Sequence, residues 1–154
     1  MMSDERLALE SFLPYRLNRL AEAVSRDFSG IYRERFGLTR PEWRLLATLG
    51  QYGTMTATEI GAHSSMHKTK VSRAVTALEA RRWLTRRADT SDRRVEHLTL
   101  TNAGESAYRE LVPLAREFER RLLGRLLQAD QQAALAGLDA LESAIGETAG
   151  DYKG

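Results

Sequence analysis

Three helix-opening signatures punctuate this chain: Thr39-Arg-Pro-Glu42, Thr56-Ala-Thr-Glu59 and Asn102-Ala-Gly-Glu105. An arginine-rich hairpin lies between the second and the third. Each signature sets a short polar side chain three residues before a glutamate, an arrangement that satisfies orphan N–H groups at a helix start. The first opens a short helix carrying Trp43, Leu45, Leu46 and Leu49, with Pro41 in its first turn and closure near Gly50 and Gly53. The second opens a shorter helix through Ile60 and Ala62. After a turn at His63-Ser-Ser-Met66, a further helix is expected from about His67 to Trp83. The third signature begins a long helix with Leu111, Leu114, Phe118, Leu122 and Leu126 on its apolar face and a kink expected at Pro113.

Ahead of these, Leu9, Phe12, Leu13, Leu17, Leu20, Ala21, Val24, Phe28, Ile31 and Phe36 recur at three- and four-residue spacing. This predicts one long amphipathic helix ending at Gly37, with Pro14 marking a kink or the true start. Asp130 is expected to cap a final helix bearing Leu135, Leu138, Leu141 and Ile145, and the tail GDYKG is expected to fray. The predicted order is four helices, a hairpin and two helices. A short helix, tight turn, second helix and two-stranded hairpin make a winged helix-turn-helix. The expected fold is therefore mainly α with a small β-hairpin wing, flanked by N- and C-terminal dimerisation helices. The expected division is 1–36 for the first dimerisation helix, 37–100 for the DNA-binding domain and 101–154 for the C-terminal dimerisation helices. The alternative for the terminal helices is that they pack on each other within one subunit.

Charge is distributed unevenly. Residues 63–94 hold 9 Lys and Arg against 3 acids, whereas residues 1–62 are neutral and residues 95–154 carry a net charge of −4. One basic block beside neutral and acidic ones is the pattern of a nucleic-acid contact surface, or of a solvated basic helix with no partner. Cysteine is absent, which excludes disulfides, zinc–cysteine sites and thiol redox sensing. No run approaches the roughly 20 apolar residues of a membrane span. The N-terminus MMSDERLALE lacks the pattern of a signal peptide. A cytoplasmic location without membrane contact is expected.

Projected at 100° per residue, the helix from His67 turns Val71, Ala74, Val75 and Leu78 toward the core. The opposite side presents Thr69, Ser72, Arg73 and Thr76, with Lys68 and Lys70 on its shoulders. Arginine can grip guanine O6 and N7, and hydroxyls can reach bases or phosphates. Ser65 and His67, in the preceding turn and at the helix start, join this DNA-facing set. In the hairpin RRADTSDRRVEHLTLTNAG, Arg93 and Arg94 stand at the tip, where a narrow minor groove attracts arginine. Arg86 and Arg87 stand nearer the base and are assigned to phosphate. Asp92, two residues before Arg94, is placed to hold that guanidinium extended. The alternative is a surface hairpin whose charges do nothing specific.

The segments LTRPEWRLLATL, TATEIGAHSSMHKTKVSRAVTALEARRWLTR and DTSDRRVEHLTLTNAG resemble the MarR family of bacterial transcription regulators. The resemblance covers nearly the whole chain. It implies a homodimer that binds a palindromic operator in double-stranded DNA, usually as a repressor relieved by a small ligand. Asp92 and Arg94 match the family's wing Asp-x-Arg, and Ser72-Arg73 match its recognition-helix Ser-Arg. The family's cysteine-based oxidation sensing is excluded here. Members that sense aromatic acids or their thioesters bind them beside the dimerisation helices. By that resemblance Tyr15, Arg16, Arg19, Trp43 and Arg44 are candidate effector ligands; alternatively Trp43 is core and the arginines are solvated or pair with Glu22 and Glu42.

Two rival readings stay open at the level of sequence. His63 and His67 have a spacing that can bind metal, with His97 as a third ligand, although the first two flank the expected turn. A metal-responsive regulator follows from that reading. A helical dimer whose basic hairpin meets an acidic protein follows from the other. No phosphate loop, nucleophile elbow or paired-carboxylate arrangement suggests an enzyme, and no cofactor is expected.

Overall fold

The computed structural model describes residues 5–149, and side chains through Gly146. The expected fraying of GDYKG lies outside the described residues. The chain divides after Thr39 into two compact units.

In the first unit a 3-10 turn, Leu9–Ser11, precedes helix α1, Leu13–Phe36. Of the two readings of Pro14, a kink or the true start, the structure has the start, and the apolar positions from Leu9 to Phe12 lie before the helix. Pro14 lies in the first turn of α1. Its ring would clash with the carbonyl four residues back if the helix began earlier, and it has no N–H to donate. Gly37 ends α1 in the left-handed region at φ 65°, and its N–H donates to the Arg33 carbonyl at 2.8 Å. Phe28 and Tyr32, both buried, meet edge to face at 5.3 Å between ring centroids. Leu13 and Leu20 remain exposed.

The second unit begins with α2, Arg40–Tyr52. Closure near Gly50 is corrected: Gly50 lies inside α2, where a Cβ would run into the Tyr108 ring. Gly53, at φ 79°, makes the exit. Strand β1, Met55–Thr56, follows and was not legible in the sequence. Helix α3, Ala57–Ser64, extends two residues beyond the expected end, so the turn begins at Ser65, whose φ is 53°. Helix α4 spans Lys68–Ala80, shorter than the expected reach to Trp83. Arg82 at φ 63° turns the chain into β2, Leu84–Ala88. Strand β3, Glu96–Leu100, lies between β1 and β2, antiparallel to both.

Helix α5 spans Asn102–Gly124 and continues through Pro113; α6 spans Gln128–Ala149. The cap of α5 is Thr101 and not Asn102, and Leu126 falls in the connection after α5. Asp130 sits inside the first turn of α6, favourably for the helix dipole but not as its cap.

Leu45, Leu46 and Leu49 of α2, Ile60 of α3, Val71 and Leu78 of α4, Leu84 of β2 and Leu98 of β3 form the core, each at most 2% exposed. Burying such a side chain is worth roughly 1.5–3 kcal/mol. The inward arc Val71, Ala74, Val75, Leu78 therefore fixes how α4 is rotated, and with it which side chains face solvent. No helix among the described residues is long and apolar enough to cross a membrane.

Candidate nucleic-acid interface

Helix α4 starts where His67 can cap it. The His67 ring Nδ1 accepts the Thr69 N–H at 3.4 Å. In the turn before it, the Met66 N–H donates to the Gly61 carbonyl at 3.1 Å. From this start, Lys68, Thr69, Lys70, Ser72, Arg73 and Thr76 are all exposed, as is Ser65. The expected outward face is therefore present, and the first turn contains no acid.

The wing is held against α4 by one arginine. Arg86 Nε donates to Glu79 of α4 at 3.1 Å and its Nη1 lies 3.5 Å from Glu96 of β3. Its Nη2 donates to the Thr76 hydroxyl at 3.2 Å. Sequence spacing assigns Arg86 to phosphate, whereas the structure gives it three partners within the chain. The self-repulsion of the basic hairpin is offset there by two carboxylates.

At the tip, Asp92 accepts the Arg94 N–H at 3.1 Å and the Arg94 Nε at 3.2 Å, with Nη2 at 3.4 Å. The Arg94 side chain is nonetheless 91% exposed. Its guanidinium is thus oriented without being covered. Arg93 is also exposed at the tip, and Arg87 is exposed on β2 opposite His97 of β3. Among the described residues, none pairs with Lys68, Lys70, Arg73, Arg87 or Arg93. Five uncompensated cations thus stand on one helix and its adjoining wing.

The tip has an organiser that sequence reasoning passed over. Asp89 Oδ2 accepts the Ser91 N–H at 3.0 Å, the Ser91 hydroxyl at 2.6 Å and the Asp92 N–H at 3.0 Å. Its other oxygen accepts from His97 Nε2 at 2.9 Å. The available signal was Asp followed by Ser at the second position, an Asx-turn pattern. These hydrogen bonds, led by the Ser91 hydroxyl and His97, hold the Asp89 carboxyl far below the usual carboxylate range. The folded-state value is depressed, so this interaction is fully present above the unfolded value of about 3.9 and is lost only as pH falls through the folded one. A carbon-13 carboxyl titration should find Asp89 still ionised where an ordinary aspartate is half protonated. A midpoint near that ordinary value contradicts the network.

The histidines go to separate places. His63 Nε2 pairs with the Tyr52 hydroxyl at 2.9 Å, His67 caps α4 and His97 meets Asp89. Among the described residues no group of three or more His, Asp or Glu is placed to hold a metal.

The candidate effector residues fall in two places. Tyr15, Arg16 and Arg19 belong to α1, with Arg19 5.8 Å from the Tyr15 ring centroid. They line an open groove along that helix with Leu13, Leu17 and Leu20. Trp43 and Arg44 are half-buried neighbours on α2.

The model of the MarR family matches residues 38–95, the segment from α2 through the wing tip. The structure resembles that of the MarR family transcriptional regulator SPO1453 from Silicibacter pomeroyi DSS-3, with a TM-score of 0.72 and 31% identity, covering 88% of this chain and 99% of that one. Among relatives, the uncharacterised HTH-type transcriptional regulator YwoH of Bacillus subtilis (strain 168) is 29% identical over 121 residues, 79% of this chain and 87% of its own. The HTH-type transcriptional repressor MdtR of the same organism is 25% identical over 134 residues, 87% of this chain and 81% of its own. The chain belongs to the MarR family, whose members are DNA-binding transcriptional regulators and not enzymes.

Proposed function

We propose that this regulator is a cytoplasmic homodimer that represses transcription from a palindromic operator and releases it when a small ligand binds. The observation that carries the DNA-binding surface is the one-sided array of exposed cations on α4 and the wing, set beside short hydroxyl side chains. In this reading Thr69, Ser72, Arg73 and Thr76 meet base edges. Ser65, His67, Lys68, Lys70 and Arg87 meet phosphate, and Arg93 and Arg94 enter the minor groove. Arg86 and Asp92 act by holding the wing and Arg94 in place.

Dimerisation is supported by exposed apolar side chains on both terminal segments: Leu13 and Leu20 on α1, Leu135, Leu138 and Ile145 on α6. Residues 1–36 and 101–154 would supply the interface, and two copies of α4 would then read half-sites about 34 Å apart. Repression is supported by similarity to the repressor MdtR. An aromatic acid or its thioester as effector is supported by Tyr15, Arg16 and Arg19 along α1, one aromatic ring and two cations suited to a planar anion.

The test is binding of the purified protein to duplex DNA from its own promoter and to random duplex over a range of salt. The affinity should fall log-linearly with salt, with a slope of roughly −0.9 for each phosphate neutralised, and the promoter duplex should be preferred. Indifference to salt, or equal affinity for both duplexes, overturns the reading. Sedimentation of the free protein as a monomer overturns the dimeric part alone.

A further inference from the structure

The wing tip carries no apolar core of its own. The loop from Asp89 to Val95 is closed by the Asp89 N–H donating to the Val95 carbonyl at 2.8 Å and the Val95 N–H donating to the Asp92 carbonyl at 3.0 Å. Two backbone bonds alone would leave a seven-residue loop free to change shape, and fixing each residue costs conformational entropy. Arg94 stands near the far end of that loop. An arginine that reads a groove has to be held close to its working geometry before binding, or the ordering is charged against affinity.

We propose that Asp89 and His97 form a latch that positions Arg94 for DNA. His97 sits on β3, the central strand, opposite Arg87 of β2 and Thr56 of β1, so its ring is anchored in the ladder. From there its Nε2–H donates to Asp89 Oδ1. Asp89 Oδ2 then gathers Ser91 and the Asp92 N–H, which fixes the backbone that carries Asp92. Asp92 in turn grips both the backbone N–H and the guanidinium of Arg94. The chain of contacts runs from a rigid strand to an exposed cation in three steps. Each step uses a charged acceptor, so each hydrogen bond is stronger than a neutral one. Asp89 and His97 are set back from Arg94 and roughly 70% covered, and they act through it rather than on DNA.

The inference rests on the reading that Arg94 contacts DNA, and the experiment separates the two. Operator affinity is measured by fluorescence anisotropy on a duplex from the protein's own promoter. The variants are Asp89→Ala, His97→Leu, His97→Gln and Arg94→Ala, with each latch variant also combined with Arg94→Ala. Thermal melting is recorded for all of them. Asp89→Ala and His97→Leu should each weaken binding on the order of tenfold, within the range of coupling between contacting residues, while both variants still melt well above the assay temperature. His97→Gln keeps an N–H donor near the Nε2 position and should restore most of the loss. Neither latch variant should cost anything further once Arg94 is alanine. An equal loss in the Arg94→Ala background means that the latch serves something other than Arg94, and the inference fails. So it does if Arg94→Ala weakens binding while Asp89→Ala and His97→Leu leave it intact. If Arg94→Ala itself has no effect, the wing contact proposed above falls, and the latch with it.

Discussion

Gly104→Ala is expected to destabilise the fold, against what helix propensity alone says. Gly104 is the third residue of α5, and alanine in a helix is ordinarily better than glycine by about 1 kcal/mol. Here a Cβ would overlap the Trp83 carbonyl oxygen and lie 3.0 Å from its carbon and 3.2 Å from Leu100 Cδ2. The obstacle is backbone and cannot rotate away. It is also held: the Thr101 N–H donates to that same Trp83 carbonyl at 2.9 Å, and the Thr101 hydroxyl donates to the Arg82 carbonyl at 2.7 Å. The Thr101 hydroxyl also accepts the Gly104 N–H at 3.2 Å, capping α5. The start of α5 is therefore stitched to the chain leaving α4, and glycine is the residue that lets the two backbones touch. Overpacking of this kind costs typically 1–3 kcal/mol, and more where backbone must yield. At about 2–4 °C per kcal/mol for a chain of this size, thermal melting should fall by several degrees at least. An unchanged or raised melting temperature would mean that α5 can slide away from Trp83. The loss should extend to DNA binding, since the same stitch sets where the wing leaves α4.

Much of the fold was legible because it is written in local chemistry. The Thr56 hydroxyl accepts the Glu59 N–H at 3.2 Å, as its spacing implies, and the outward and inward faces of α4 follow from period alone. Asp92 and Arg94 were legible as a pair because two residues in a tight loop leave them nowhere else to meet. What escaped depends on partners distant in sequence. Asn102 and Thr101 are both good caps, and contacts back to Arg82 and Trp83 choose between them. Strand β1 is two residues long with no pattern of its own, and exists because β3 pairs with it. Arg86 reads as one more exposed cation until the fold brings Glu79 and Glu96 to it. The Asp89–His97 contact spans eight residues across a loop, so His97 looked like a spare metal ligand.

Arg73→Ala is expected to cost about 1–3 kcal/mol of operator affinity and to relax the preference for specific over random duplex. Arg73 differs from Arg86 in what it lacks. Arg86 spends its donors on Glu79, Glu96 and Thr76, so its removal would disturb the wing as well as the charge. Arg73 projects from the outward face of α4 and has no such partner among the described residues. Its deletion should therefore leave stability within about 0.5 kcal/mol, the usual effect of a surface change away from any network. A loss of DNA affinity with intact melting is then a direct reading of the contact. Charge and geometry are separated by Arg73→Lys. Lysine keeps the cation but not the planar fork that matches guanine O6 and N7. If Arg73 reads a base, lysine should recover affinity for random duplex while the preference for the operator stays low. If it meets only phosphate, lysine should restore both, and alanine should weaken both duplexes equally while making the salt slope shallower by about one. That second pattern would move sequence reading off Arg73 and onto Thr69, Ser72 and Thr76. Affinity unchanged on every duplex would remove α4 from the interface altogether.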